Sequence, residues 1–176
     1  DTDVMTKDLD AGRVLVVAGF QGFDAEGNTT TLGRGGSDTS GVAIAAALKA
    51  DECQIYTDVD GVYATDPRIL SEAKRLDYVS YEEMMEMSAL GAGVLETRSV
   101  ELAKNYDIPL YLGRTLSNVK GTWIMPRTEI LEKKAVTGVA LDTHMMHVTI
   151  SYPLPDNRLL TQLFITSVVN CIGLLV

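Results

Sequence analysis

Three short apolar runs constrain what this chain can fold into: RVLVVAG at 13–19, CQIYT at 53–57 and IPLYLG at 108–113. Each is short, rich in aliphatic residues and bounded by turn residues, which is the pattern of a strand buried in a sheet. The stretches between them read as helices. Residues 32–50, LGRGGSDTSGVAIAAALKA, pass from a glycine turn into an Ala-rich helix, with Ser37 expected as N-cap and Asp38 in the first turn. Ser80-Tyr81-Glu82-Glu83 matches a capping box and opens a helix over 80–90 that stops before Gly91. A further helix is expected over roughly 94–106. Strand, helix, strand, helix, strand in this order predicts an α/β fold with a mainly parallel sheet flanked by helices. Residues 23–31, FDAEGNTTT, read as a small hairpin or flap.

The second half changes character. PRTEILEKKA at 126–135 is charged and reads as a linker or surface helix. Beyond it, MHVTISY at 146–152 alternates weakly like a strand, and LLTQLF follows a turn at 156–158. A new unit is therefore expected to begin near residue 136. The chain starts at Asp1 and stops in an apolar Gly-Leu-Leu-Val, so we expect a piece of a larger protein.

Charge narrows the function classes. Asp plus Glu exceed Lys plus Arg by 24 to 15, a net charge of −9. That balance argues against a bulk electrostatic grip on nucleic acid or an anionic membrane surface. No run approaches the length of a spanning helix. Two cysteines, Cys53 and Cys171, show neither metal-ligand spacing nor a disulfide framework, which points to a reducing compartment such as the cytoplasm. Cys53 reads as a small buried hydrophobe. Met84, Met85 and Met87 read as core filler, and His144 and His147 lack acidic or Cys partners for a metal site. There is no Walker A string and no Ser/His/Asp ordering.

Two constellations remain. In Leu32-Gly33-Arg34-Gly35-Gly36-Ser37-Asp38 the glycines let backbone approach a ligand, the following helix aims free N–H groups at it, and Arg34 offers a fork for carboxylate or phosphate. Asp38 would accept hydrogen bonds, orient a lysine or help place a metal-bound phosphate. The string describes a site for a small zwitterion or phosphate, or else a glycine turn with a surface ion pair. Thr57-Asp58-Val59-Asp60-Gly61-Val62-Tyr63 with Asp66-Pro67-Arg68 lies just beyond a strand's C-terminal end, where open α/β sheets bind ligands. Asp58 suits ribose hydroxyls, Tyr63 a base and Arg68 phosphate charge. On spacing alone a solvated turn explains the segment equally well.

Taken together, VVAGFQG (16–22), TTTLGRGGSD (29–38), YTDVDGVYATDPR (56–68) and YEEMMEMSALGAGVLETRSVELAKNYDIPLYL (81–112) resemble the aspartate kinases of the amino-acid kinase superfamily. The resemblance runs from about residue 1 to 125. Residues 136–164 look like the start of the small ferredoxin-like regulatory (ACT) domain of that family. The implied organisation is the C-terminal part of the catalytic domain at 1–127, then linker and partial ACT domain at 128–176.

The resemblance implies transfer of the ATP γ-phosphoryl group to the β-carboxylate of L-aspartate, with Mg²⁺ bridging phosphates. It is the first step of lysine, threonine and methionine synthesis. Carried over residue by residue, Arg34 would hold the aspartate carboxylate with Gly35, Gly36, Ser37 and the Phe20 backbone nearby. Asp38 would be the catalytic organising acid that positions a lysine. Thr57, Asp58, Tyr63, Asp66 and Arg68 would line the ATP site. An amino-acid effector (lysine and/or threonine) and at least a homodimer are implied as well. This chain departs from the family in three places. The N-terminal K-F-G-G-T-S strand and loop is absent, and so is the glutamate for the substrate amino group. Gly93 stands where many members carry a lysine. The isolated chain is therefore expected to be inactive. The alternatives are a non-catalytic regulatory or assembly fragment that binds an amino-acid effector, or another superfamily kinase.

Overall fold

The computed structural model describes residues 2–127 and 136–141. The expected strand at 146–152, both histidines and nearly all of the expected ACT segment lie outside the described residues. A first compact unit ends at Leu141 and a second begins at Asp142, later than the boundary near 136 read from the sequence.

The elements of the first unit are α1 (Thr2–Asp10), β1 (Gln21–Phe23), β2 (Thr29–Thr31), α2 (Gly36–Ala47), β3 (Cys53–Thr57), β4 (Tyr78–Ser80), α3 (Tyr81–Ala89), α4 (Thr97–Asn105), β5 (Leu110–Arg114) and β6 (Thr122–Met125). β1 and β2 form the expected hairpin, with Gln21 opposite Thr31. The remaining strands make one sheet in the order β3-β5-β6-β4. β3 runs parallel to β5 and β4 parallel to β6, while β5 and β6 are antiparallel. The sheet is thus mixed: β6 follows β5 directly in the chain, and so short a return reverses strand direction.

Period-two alternation puts one set of side chains into the core. Leu110, Leu112, Ile124 and Val79 are fully buried, with Cys53 and Ile55 packed against them. Val42 and Ala45 of α2, Tyr81, Met84 and Met87 of α3, and Val100 and Ala103 of α4 complete this core. The methionines are core filler, as expected. Cys53 is half-buried rather than buried, and burial pushes its thiol up. The other set carries a row of aromatic rings. Tyr111 meets Tyr56 edge-on at 6.2 Å and Trp123 at 5.0 Å.

Two local expectations change. Residues 13–19 are not a buried strand: no described strand pairs with them, and Val14 and Val16 are 91% and 97% exposed. An apolar run becomes a strand only when a neighbour takes its N–H and C=O groups. The N-cap of α2 is Gly35, not Ser37. The Gly36 N–H bonds the Gly33 carbonyl at 3.1 Å, and that turn delivers Gly35 with φ 66°, so the helix begins before Ser37. α4 likewise starts at Thr97, after a turn through 91–95.

α3 begins as the sequence predicts. The Ser80 hydroxyl accepts from the Glu83 N–H at 3.2 Å, and Glu83 Oε2 accepts from the Ser80 N–H at 3.0 Å. Ser80→Ala should cost about 1 kcal/mol of unfolding free energy, read as a lower urea midpoint at unchanged slope. An unshifted midpoint would show that the box contributes nothing.

Candidate active site

The polar loop after β3 is shaped by one buried hydroxyl. Thr122 on β6 is fully buried; its Oγ1 accepts from the Val62 N–H at 2.8 Å and donates to the Leu76 carbonyl at 2.6 Å. Leu76 N–H bonds Val62 O at 2.8 Å, and Ala64 N–H bonds Lys74 O at 2.9 Å. The loop is therefore pinned on a short antiparallel contact, Tyr63 opposite Arg75. Gly61 makes the turn into it with φ 153°, where a Cβ would stand 2.5 Å from Thr122 Oγ1.

This anchoring leaves a cleft of about 570 Å³ at the C-terminal end of β3, within the size range of small-ligand sites. Thr57, Asp58, Tyr63, Asp66 and Arg68 all line it. Thr57 Oγ1 donates to Asp58 Oδ1 at 3.0 Å. Arg68 forks onto Asp66, with Nη2–Oδ2 at 2.7 Å and Nε–Oδ1 at 3.0 Å. That pair holds the Asp66 carboxyl below its usual range and raises the guanidinium. The Arg68 side chain is exposed and that of Asp66 partly so, and a pair so placed is worth little, so the fork can open toward an anion.

Beyond this loop the lining comprises Met87 of α3, residues 91–94 and residues 139–141; of these the sequence singled out only Gly93, through the resemblance, and the others were not read as part of this site. A Cβ at Gly93 would meet nothing within 4 Å, so the position where many aspartate kinases carry a lysine is open space.

None of Phe20, Arg34, Gly35, Gly36, Ser37 or Asp38 lines that cleft; they gather where the N-termini of α2 and α4 meet. Leu32 N–H bonds Phe20 O at 3.0 Å, and Phe20 N–H bonds Ser40 Oγ at 2.9 Å. Gly36 packs against the Phe20 ring, and Gly35 packs so closely on Glu96 that a Cβ would stand 2.5 Å from the Glu96 Cβ. Arg98 Nη2 donates to the Arg34 carbonyl at 2.7 Å. Burial pushes the Asp38 carboxyl up; a hydrogen bond from the Glu96 backbone opposes this and the Glu96 charge adds to it. The Arg34 guanidinium is exposed and has no ion pair or hydrogen bond among the described residues, so its fork is available to an incoming carboxylate or phosphate. Glu96 and Arg98 were missed because nothing local ties them to a glycine turn some sixty residues earlier.

Among the described residues no group of three His, Cys, Asp or Glu side chains could hold a metal by itself, and no helix is long and apolar enough to cross a membrane. Mg²⁺ does not require such a cage: it keeps several waters and binds through one or two carboxylates plus substrate phosphates. Asp58, the lining carboxylate not engaged by an arginine, fits that requirement.

An α/β sheet with a cleft beyond a strand end and a glycine turn at a helix N-terminus defines a class. Residues 1–114 match the amino acid kinase family, and the chain belongs to it. Within that family it is similar to aspartate kinases. It is 54% identical over 151 residues to an aspartate kinase of Stutzerimonas stutzeri, an alignment covering 85% of this chain and 37% of that protein. Among solved structures it is similar to E. coli aspartokinase III in complex with aspartate and ADP (R-state), with TM-score 0.67 and 38% identity over 73% of this chain and 29% of that one. The same enzyme in complex with lysine and aspartate (T-state) gives TM-score 0.64 at 38% identity, with the same coverage. The chain thus spans well under half the length of the curated relative it matches.

Proposed function

We propose that this chain is part of an aspartate kinase, which transfers the γ-phosphoryl group of ATP to the β-carboxylate of L-aspartate. The products are an acyl phosphate and ADP. The observation that carries this reading is the convergence of Thr57, Asp58, Tyr63, Asp66 and Arg68 on one cleft of nucleotide size. Phosphoryl transfer demands positioning and charge neutralisation more than covalent chemistry. Asp58 would take ribose hydroxyls or share the Mg²⁺ that shields phosphate charge. Tyr63 would lie against the base, and Arg68 would turn from Asp66 toward phosphate. The exposed fork of Arg34 would hold the aspartate carboxylate, beside Ser37 and the Phe20 backbone. Asp38 would organise a lysine from the part of the catalytic domain outside this chain. Without that lysine the chain alone should not turn over, since removing one such group costs about 10²- to 10³-fold.

The likeness to an enzyme solved with lysine and aspartate supports an amino-acid effector, lysine and/or threonine, acting through the ACT domain whose start residues 136–164 resemble. The same reading puts the enzyme in the cytoplasm as a homodimer or larger assembly.

The test uses the full-length enzyme, with acyl phosphate trapped as hydroxamate. Arg34→Ala should raise the aspartate requirement at least tenfold and leave the ATP requirement nearly unchanged. Asp58→Ala should weaken ADP binding about tenfold. Equal effects of Arg34→Ala on both substrates, or unchanged ADP affinity in Asp58→Ala, would refute the assigned roles.

A further inference from the structure

Residues 136–141 fold onto the cleft although the sequence places them beyond a charged linker. They are held at three points. Thr137 Oγ1 donates to Glu83 Oε1 at 2.5 Å. Val139 N–H donates to the Ala64 carbonyl at 2.7 Å. Between the two, Gly138 passes so close that a Cβ would stand 2.8 Å from Ala64 O and 3.2 Å from Met87 Cε. Ala64 belongs to the loop that carries Tyr63 and Asp66, and Met87 to α3. The strap therefore bridges the two sides of the cleft, and its residues 139–141 complete the lining.

Glu83 divides its carboxylate between two tasks. Oε2 accepts from the Ser80 backbone and hydroxyl at 3.0 and 2.9 Å, which starts α3. Oε1 is left for Thr137. Burial pushes the Glu83 carboxyl up, but the bonds from Thr137 and Ser80 and the charge of Arg127 outweigh it and hold it below its ordinary value. The acceptor is thus charged, and charged acceptors make the stronger bonds. The two large apolar side chains of the strap add little: Val139 and Leu141 are 63% and 59% exposed, so apart from the close approach at Gly138 it is held by hydrogen bonds. A segment whose largest side chains are exposed lies toward the low end of local stability, where single hydrogen bonds weigh heavily on its position.

We infer that the Thr137–Glu83 hydrogen bond holds residues 136–141 in place as a wall of the nucleotide cleft, which makes Thr137 and Glu83 positioning residues for nucleotide binding. The inference rests on the nucleotide reading of the cleft. Thr137→Val keeps the shape and removes the donor. In the full-length enzyme it should weaken ADP binding about tenfold and speed hydrogen exchange at the Val139 amide. Thr137→Ser should restore both. Gly138→Ala, which pushes on Ala64 through a different contact, should weaken ADP in the same direction. ADP binding by Thr137→Val within twofold of wild type, or unchanged Val139 exchange, overturns the inference alone. A full-length wild-type enzyme that binds no ADP refutes the nucleotide reading and this inference together.

Discussion

Gly61→Ala should destabilise the first unit by about 3 kcal/mol and remove ADP binding. Two costs combine. The backbone there has φ 153°, a conformation L side chains rarely adopt. The added methyl would also stand 2.5 Å from Thr122 Oγ1, 3.1 Å from Arg75 Cδ and 3.2 Å from Thr122 N. Arg75 can swing away, but Thr122 cannot, because it is fully buried and bonded on two sides. The loop must move instead, and Val62, Tyr63 and Ala64 move with it. The measurement is a urea titration with ADP binding on the same protein. A loss well under 1 kcal/mol, about a third of the summed cost, would show that the loop relaxes freely and is not pinned.

Thr122→Val should cost a comparable amount, about 3 kcal/mol, for a different reason. The side chain keeps its volume but leaves the Val62 N–H and the Leu76 carbonyl buried without partners. Thr122→Ser keeps the hydroxyl and loses one methyl, worth about 1 kcal/mol. Val above Ser in cost identifies the hydrogen bonds as the cause, and the reverse order would identify packing. Faster exchange at the Val62 amide in Thr122→Val alone gives an independent check. Gly61 and Thr122 are in contact, so the two substitutions should not be additive.

The readability of the site divides along the same line. Thr57, Asp58, Tyr63, Asp66 and Arg68 were legible because they fall within twelve consecutive residues after a strand, where open sheets bind ligands. The turn that carries Arg34 and Asp38 was legible because glycines before a helix are a local pattern. The framework that positions these segments was not legible. Thr122 is sixty residues from Val62, Glu96 and Arg98 reach back to the turn at 32–38, and Thr137 is fifty-four residues from Glu83. Nothing in the composition of 136–141 distinguishes a cleft wall from the start of a new unit.

Sequence by itself determined what hydrogen bonds and side-chain periodicity settle within a few residues: the β1–β2 hairpin, the capping box at Ser80–Glu83, the strand at 53–57, β5 (read at 108–113 and observed at 110–114) and the α/β class. Tertiary structure alone decided which strands pair and in which direction, that residues 13–19 form no strand with a described partner, and that α2 starts at Gly36 with Gly35 as its N-cap. It also decided that a threonine on β6 and a strap at 136–141 complete a cleft begun at β3. The physical reason is that a backbone group or a buried hydroxyl must be satisfied by whatever the fold brings beside it, and that neighbour is fixed by packing across the sheet rather than by proximity along the chain.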